Sequence, residues 1–297
     1  MTQSRMEWKH GETWYRVVGD LDPAAQQAPV VVLHGGPGAC HDYVEPIAEL
    51  VNRTGRAAVL YDQLGCGNST HLPDAPADFW TVQLFKDELQ TLLDHLGIGD
   101  RYDLVGQSWG GMLAMDWALD PRPGLNALGI CDSPARMDLW VEEANRLRKS
   151  LPPGVDDTLL RHEQAGTTDS PEYAAAMKEF YDRHVCRVVP NPDCVTRSFA
   201  KLADDPTVYF TMNGPSEFHC IGSLRTWNIV DRLHRITVPT LLVSGRYDEA
   251  TPAIVGEIHE RIPGSEWVIF EESSHMPHVE EPERFAEVLN GFLAVND

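Results

Sequence analysis

Positive charge is scarce in this chain. Lys and Arg together number 24 of 297 residues against 45 Asp and Glu, a formal net charge of −21. Such a surface repels nucleic acid and anionic membranes, so neither is an expected partner, whereas a cationic ligand is attracted. No apolar run approaches the ~20 residues that span a bilayer, and the start, Met1 to Trp8, carries no apolar signal region. Both absences point to a cytoplasmic protein. Cys40, Cys66, Cys131, Cys186, Cys194 and Cys220 form no Cys-x-x-Cys pair, so they are read as reduced and mostly buried rather than as a disulfide or zinc framework. Repeats and low-complexity tracts are missing too. What remains is an ordinary globular composition, 42% apolar, on a chain long enough for one large α/β domain or a core with an inserted subdomain.

Short apolar runs alternate with helical spacing along most of the length. Strands are expected at Thr13–Val18, Pro29–Leu33, Arg56–Tyr61, Tyr102–Val105, Leu125–Cys131, Val238–Ser244 and Glu266–Phe270. A turn is expected over 20–28. Val82, Phe85, Leu89, Leu92, Leu93 and Leu96 fall on one helical stripe within 81–96. Helices are also expected at Met112–Ala118, Thr251–Arg261 and Pro282–Leu293, the last opening on a proline suited to its first turn. Near-continuous apolar strands separated by helices indicate a mostly parallel sheet covered on both faces. Between about Ser133 and Leu233 strands disappear, and helices at Leu139–Leu151, Thr158–Gln164 and Pro171–Val185 are punctuated by proline and glycine. The expected organisation is therefore an α/β core over 1–132 and 234–297, with a helical lid over 133–233. The lid would lie over the carboxyl edge of the sheet, where ligands bind in open α/β folds.

The chemistry enters at Gly106-Gln-Ser-Trp-Gly-Gly111, directly after a strand and before a helix. A serine between glycines in that context is a nucleophile elbow, and Gly106 and Gly110 let the backbone fold back without Cβ clashes. Ser108 then needs a base and a carboxylate to orient it. In α/β-hydrolases these follow the serine in the order acid, then histidine. Asp248 lies just beyond the strand 238–244, with Asp132, after the preceding strand, as its rival. Asp132 otherwise serves a turn or cap, and Asp62 is read as stabilising its own turn. His275 follows the final strand, ahead of His278 as the base, while His259 falls within a helix. The oxyanion donors are expected to be the N–H of Trp109, next after the nucleophile, and that of Gly36 in His34-Gly-Gly-Pro-Gly38, with Gly35 second because Pro37 has no N–H. No metal or organic cofactor is required by this constellation.

Taken together, His34-Gly-Gly-Pro-Gly38, Tyr61-Asp-Gln-Leu-Gly-Cys-Gly67, Gly106-Gln-Ser-Trp-Gly-Gly111, Met212-Asn-Gly-Pro-Ser-Glu-Phe218, Gly245-Arg-Tyr-Asp-Glu-Ala-Thr-Pro252 and Ser274-His-Met-Pro-His278 resemble the proline iminopeptidase family of α/β-hydrolases. Within it the chain looks most similar to bacterial L-proline amide hydrolases. The resemblance implies a Ser108–Asp248–His275 triad and hydrolysis of an amide or peptide bond after a free N-terminal L-proline or similar small residue. It also implies that Glu217 and Glu249 hold the substrate's amino terminus, as a dehydrated cation requires. Trp109, Phe210, Phe218 and Trp227 are candidate walls for a pyrrolidine ring. The expected partner is a small amino acid amide or short peptide. A carboxylesterase or lactonase with the same triad, and a low-turnover small-molecule receptor, are the alternatives. Oligomeric state leaves no mark in the sequence.

Overall fold

The computed structural model describes residues 2–22 and 24–297; Met1 and Pro23, the latter within the turn expected over 20–28, lie outside the described residues. The chain opens with an antiparallel hairpin, β1 (Thr2–Trp8) and β2 (Gly11–Val18), followed by β3 (Val30–Leu33), α1 (Glu45–Asn52) and β4 (Ala58–Tyr61). Next come α2 (Val82–Leu96), β5 (Tyr102–Gln107), α3 (Trp109–Ala118) and β6 (Leu125–Cys131). An all-helical insertion follows: α4 (Met137–Arg148), α5 (Val155–Ala165), α6 (Pro171–His184), α7 (Asp193–Asp204) and α8 (Thr207–Met212). The alternation then resumes with β7 (Thr240–Gly245), α9 (Pro252–His259), β8 (Glu266–Phe270), the short α10 (Pro277–Glu280) and α11 (Pro282–Val295).

The strands form one eight-stranded sheet in the order β1-β2-β4-β3-β5-β6-β7-β8. All pairings from β4 to β8 are parallel, and β2 joins β4 antiparallel. The central strands are buried on both sides, as their apolar runs require. Val31 and Leu33 of β3 pack into a core with α2, α3 and α9, whereas Val30 and Val32 face α1 and α11. Each such fully buried aliphatic side chain is worth about 1.5–3 kcal/mol of transfer free energy. α2 begins and ends as its sequence dictates: Thr81 Oγ1 accepts the Leu84 N–H at 3.2 Å, and Gly97 closes the helix at φ +66°.

The expected strands and helices all appear, with ends displaced by at most three residues. Five of these elements were not expected: β1, α1, α7, α8 and the one-turn α10. β1 buries only Met6 of its central residues and is otherwise polar, so it offers no apolar run; it is an exposed, charge-bearing edge. α1, α7 and α8 are short or interrupted by prolines at their starts. All six cysteines are free, four of them buried. Among the described residues, no helix is long and apolar enough to cross a membrane.

Candidate active site

β5 ends in a turn that only glycine flanks can close. A Cβ on Gly106 would strike the Gly110 carbonyl, and one on Gly110 would strike that of Leu33. Ser108 is held at φ 57°, ψ −122°, a region a residue with a Cβ rarely adopts. Its N–H donates to Cys131 C=O at 2.9 Å, and Ser133 Oγ donates to its carbonyl at 2.8 Å. Neighbouring β6 thus secures the strained turn. The serine hydroxyl is left partly open toward a cavity of about 40 Å³ beneath the insertion.

Asp248 and His275 come from the loops after β7 and β8 and meet behind that cavity. His275 Nδ1 donates to Asp248 Oδ1 at 2.7 Å, and the same oxygen accepts the Ala250 N–H at 2.8 Å. Glu280 Oε2 accepts the N–H groups of Ser274 and Met276, at 2.7 and 3.3 Å, fixing the loop on either side of His275. Burial of the imidazole would lower its pKa; the charge of Asp248 and its hydrogen bond, then the charge of Glu217, outweigh this and hold it above the ordinary value. His275 and Ser108 line the same cavity, and no hydrogen bond joins them in the empty site; contacts of this kind close when substrate arrives. His275 Nε2 instead faces Glu249 Oε1 at 3.8 Å. His278 lies elsewhere: its Nε2 donates to Tyr43 C=O at 2.9 Å, and burial pushes it down to about 4, so it stays a neutral packing residue.

The loop after β3 brings Gly36 to the cavity at φ +111°. The Trp109 N–H stands at the first position of α3, where an amide has no partner within the helix. Sequence reasoning missed the brace behind these donors. The Gly35 N–H donates to Tyr43 Oη at 2.6 Å, Tyr43 Oη donates to Gln107 Oε1 at 2.5 Å, and Gln107 Nε2 donates to His275 C=O at 2.8 Å. One glutamine therefore ties the glycine loop, the elbow and the histidine loop together. Its position inside the Gly-Gln-Ser-Trp-Gly motif was the available signal.

Glu217 and Glu249 both line the cavity. Glu249 is fully buried, and among the described residues neither of its oxygens has a hydrogen-bond partner. Burial, then the charges of Glu217 and Asp248, push its carboxyl well above the ordinary range. Glu217 accepts from Tyr209 Oη at 2.6 Å, and its own carbonyl accepts the Trp140 Nε1–H at 2.7 Å. As a residue it is only partly buried, yet its carboxyl is enclosed by protein, and that desolvation raises it despite the tyrosine. Two enclosed carboxyls around one small space, one of them without a partner among the described residues, suit a cation, which would favour the ionised form of both.

The aromatic walls need correction. The Trp109 indole points into the core, its Nε1 donating to Gln63 Oε1 at 2.9 Å. Phe218 packs against Phe180 and Tyr173 inside the insertion, Phe210 is exposed, and Trp227 packs half-buried against the main core. The cavity is walled instead by Tyr43, Val185, Phe199, Leu202, Tyr209 and Met276. Helical periodicity alone does not say which face of a lid helix turns toward the site. Asp62 does stabilise its turn: its oxygens accept the His41 N–H at 2.7 Å and the Asn68 N–H at 2.8 Å. Asp132 is not a cap; it sits fully buried beside Asp248 and His275, one ligand-type atom from each lying within 4.8 Å of the others.

A parallel sheet with helices on both faces, a strained serine at a strand–helix turn and a histidine–aspartate pair beyond two later strands define an α/β-hydrolase. The family described as alpha/beta hydrolase fold matches residues 28–282. The proline iminopeptidase of Lactobacillus delbrueckii subsp. lactis is 36% identical over all of this chain and 99% of its own length. A crystal structure of proline iminopeptidase from Mycobacterium smegmatis superposes with a TM-score of 0.91 at 48% identity, covering 99% of this chain and 98% of that one. The crystal structure of VinJ gives 0.97 at 51% identity, covering 100% and 99%. The chain belongs to the proline iminopeptidase family of α/β-hydrolases, and it is a hydrolase.

Proposed function

We propose that the protein is a serine hydrolase that cleaves the amide or peptide bond after a free N-terminal L-proline or a similar small L-amino acid, for example L-prolinamide to L-proline and ammonia. The observation that carries this reading is the pairing, in one narrow cavity, of Ser108 with the enclosed carboxylates of Glu217 and Glu249. A dehydrated amino terminus satisfies Glu249's unpartnered oxygens; a neutral acyl chain would leave them unpaired. The relatives named as proline iminopeptidases support the same choice.

In this mechanism His275, oriented by Asp248, takes the Ser108 proton as Oγ attacks the carbonyl of the N-terminal residue. The N–H groups of Gly36 and Trp109 receive the tetrahedral oxyanion. His275 returns the proton to the leaving ammonia or amine. Water, activated by the same imidazole, then releases the amino acid from Ser108. The substrate cation also acts on the base. In the empty cavity the charge of Glu217, added to that of Asp248, favours the imidazolium. A bound ammonium neutralises that field and frees the imidazole to accept the serine proton. The base is thus readied by the substrates that carry the cation.

The test is turnover of L-prolinamide, a prolyl dipeptide and p-nitrophenyl acetate by the protein and by its Ser108→Ala variant. We expect L-prolinamide to be hydrolysed and Ser108→Ala to lose about 10⁴-fold or more in kcat/KM. Near-normal turnover by the variant, or preference for the neutral ester, contradicts the reading.

A further inference from the structure

The loop after β6 carries a second carboxylate that the mechanism above does not use. Asp132 follows Cys131 directly and takes a left-handed backbone, φ 55°, without being glycine. Its N–H is pinned to Val243 C=O of β7 at 2.8 Å. That pinning turns its side chain toward the Asp248–His275 pair, with which it shares a space under 4.8 Å across. Asp132 is 0% exposed and Asp248 1% exposed. Asp248 Oδ1 is fully engaged by His275 and Ala250. Among the described residues, Asp248 Oδ2 and both oxygens of Asp132 have no hydrogen-bond partner.

Three orphaned acceptors this deep in the protein are not tolerable as two bare carboxylates. The titratable groups that act on Asp132 are Asp248, Cys131 and Glu280, Tyr43 feels its charge in turn, all four are acidic, and the base sharing its space is His275. A single proton pairs two of the three, because it turns one acceptor into a donor for another, and it leaves the pair with one charge and one neutral carbonyl oxygen, which is far cheaper to bury than a second charge.

We infer that Asp132 is held as a neutral carboxylic acid that donates its O–H to Asp248 Oδ2 and so positions the catalytic acid behind His275. Burial first, and then the charge of Asp248, raise the Asp132 carboxyl well above its ordinary range, in agreement with this geometry. Asp132 touches neither substrate nor reacting atoms; it is a positioning residue. Its donated hydrogen bond fixes the rotamer of Asp248, so that Oδ1 stays on His275 Nδ1. It also draws charge from Asp248, which restrains the basicity of the histidine. The kinetic part of the inference rests on the proposed role of His275; the protonation state does not.

Two measurements separate these parts. Infrared difference spectroscopy of the unliganded protein at neutral pH against Asp132→Asn, with wild-type thermal stability checked for both, reads the proton directly. We expect a carboxylic-acid carbonyl band that the variant lacks, whatever the substrate proves to be. Absence of that difference overturns the inference. Kinetics on the best substrate reads the positioning role. Asp132→Asn keeps a donor for Oδ2 and should retain kcat within about threefold. Asp132→Ala should lower kcat about tenfold with little change in KM, and should move the acid limb of the pH–rate profile upward, because Asp248 then acts on His275 undiluted. Equal activity of both variants overturns the positioning role. If Asp132→Asn is as damaging as Ser108→Ala, the inference is also overturned, because a negative charge at 132 would then be essential. Loss of activity on chelation, restored by Zn²⁺, would place a cation where the proton is assigned and overturn it equally.

Discussion

Among the described residues two with a side chain hold a positive φ, Ser108 and Asp132, and both stand at the carboxyl ends of neighbouring strands β5 and β6. Strain at such positions survives only where surrounding hydrogen bonds over-determine it, and here β6 and β7 carbonyls supply them. The charged residues set the pH dependence. In the proposed mechanism His275 acts as a base only when neutral, and its pKa is held above 6.5 because the fields of Asp248 and Glu217 outweigh burial. Its favourable charge therefore stabilises the fold below that ordinary value and is lost as pH rises through the raised one, while activity rises over the same interval. Glu217→Gln removes one of those fields, so with a neutral ester the acid limb of kcat/KM should move to lower pH. With L-prolinamide the same variant should lose about 10²-fold or more, the worth of one desolvated charge pair. Equal losses on ester and amide would contradict the amine-holding role. Ser108, Asp248 and His275 were legible in the sequence because each sits in a short motif directly after a strand. The brace through Tyr43 and Gln107 was not, since its bonds join residues 64 and 168 positions apart, and the motif around Gln107 marks its place without showing its partners.

Among the elements, α7 decides how the cavity is closed, since Phe199 and Leu202 on it form one wall. It is docked by charge more than by apolar burial. Arg197 Nε and Lys201 Nζ donate to Asp42 at 2.8 and 2.6 Å. Burial of Asp42 opposes ionisation, but these two bonds prevail and hold it well below the usual carboxylate range. The stabilisation is therefore present above the ordinary carboxyl pKa and is lost only as pH falls toward the depressed value. Replacing Arg197 and Lys201 together by Met leaves Asp42 buried and unpaired. We expect a loss of roughly 1–2 kcal/mol, less than a fully buried pair would give because Arg197 is half exposed. Faster amide exchange confined to α7 should accompany it, and the stability difference should shrink in strong acid. Unchanged exchange in α7 would contradict this docking. The sequence announced α2 and the central strands, whose periodicity reports burial, and left out α7 and β1, whose residues are mostly polar and whose places are set by partners far along the chain.

At the scale of the whole molecule, the charge of −21 and the acidic cavity act in the same direction. On the proposed reading a cationic substrate is drawn inward through a field that salt screens over roughly 8–10 Å at ordinary ionic strength. Raising NaCl from low to molar concentration should lower kcat/KM for L-prolinamide several-fold and leave a neutral ester nearly unchanged; parallel behaviour of the two would contradict steering. The same charge excess was legible from composition alone, whereas its focus on one cavity needed the fold, because Glu217 and Glu249 arrive from the helical insertion and from the loop after β7. Everything turns on whether a free amino terminus is what this site recognises. The most direct measurement is the ratio of kcat/KM for L-prolinamide to that for N-acetyl-L-prolinamide, which keeps the ring and the scissile bond and removes only the cation. A ratio of about 10³ or more is expected from one desolvated ion pair; a ratio near one would contradict the account.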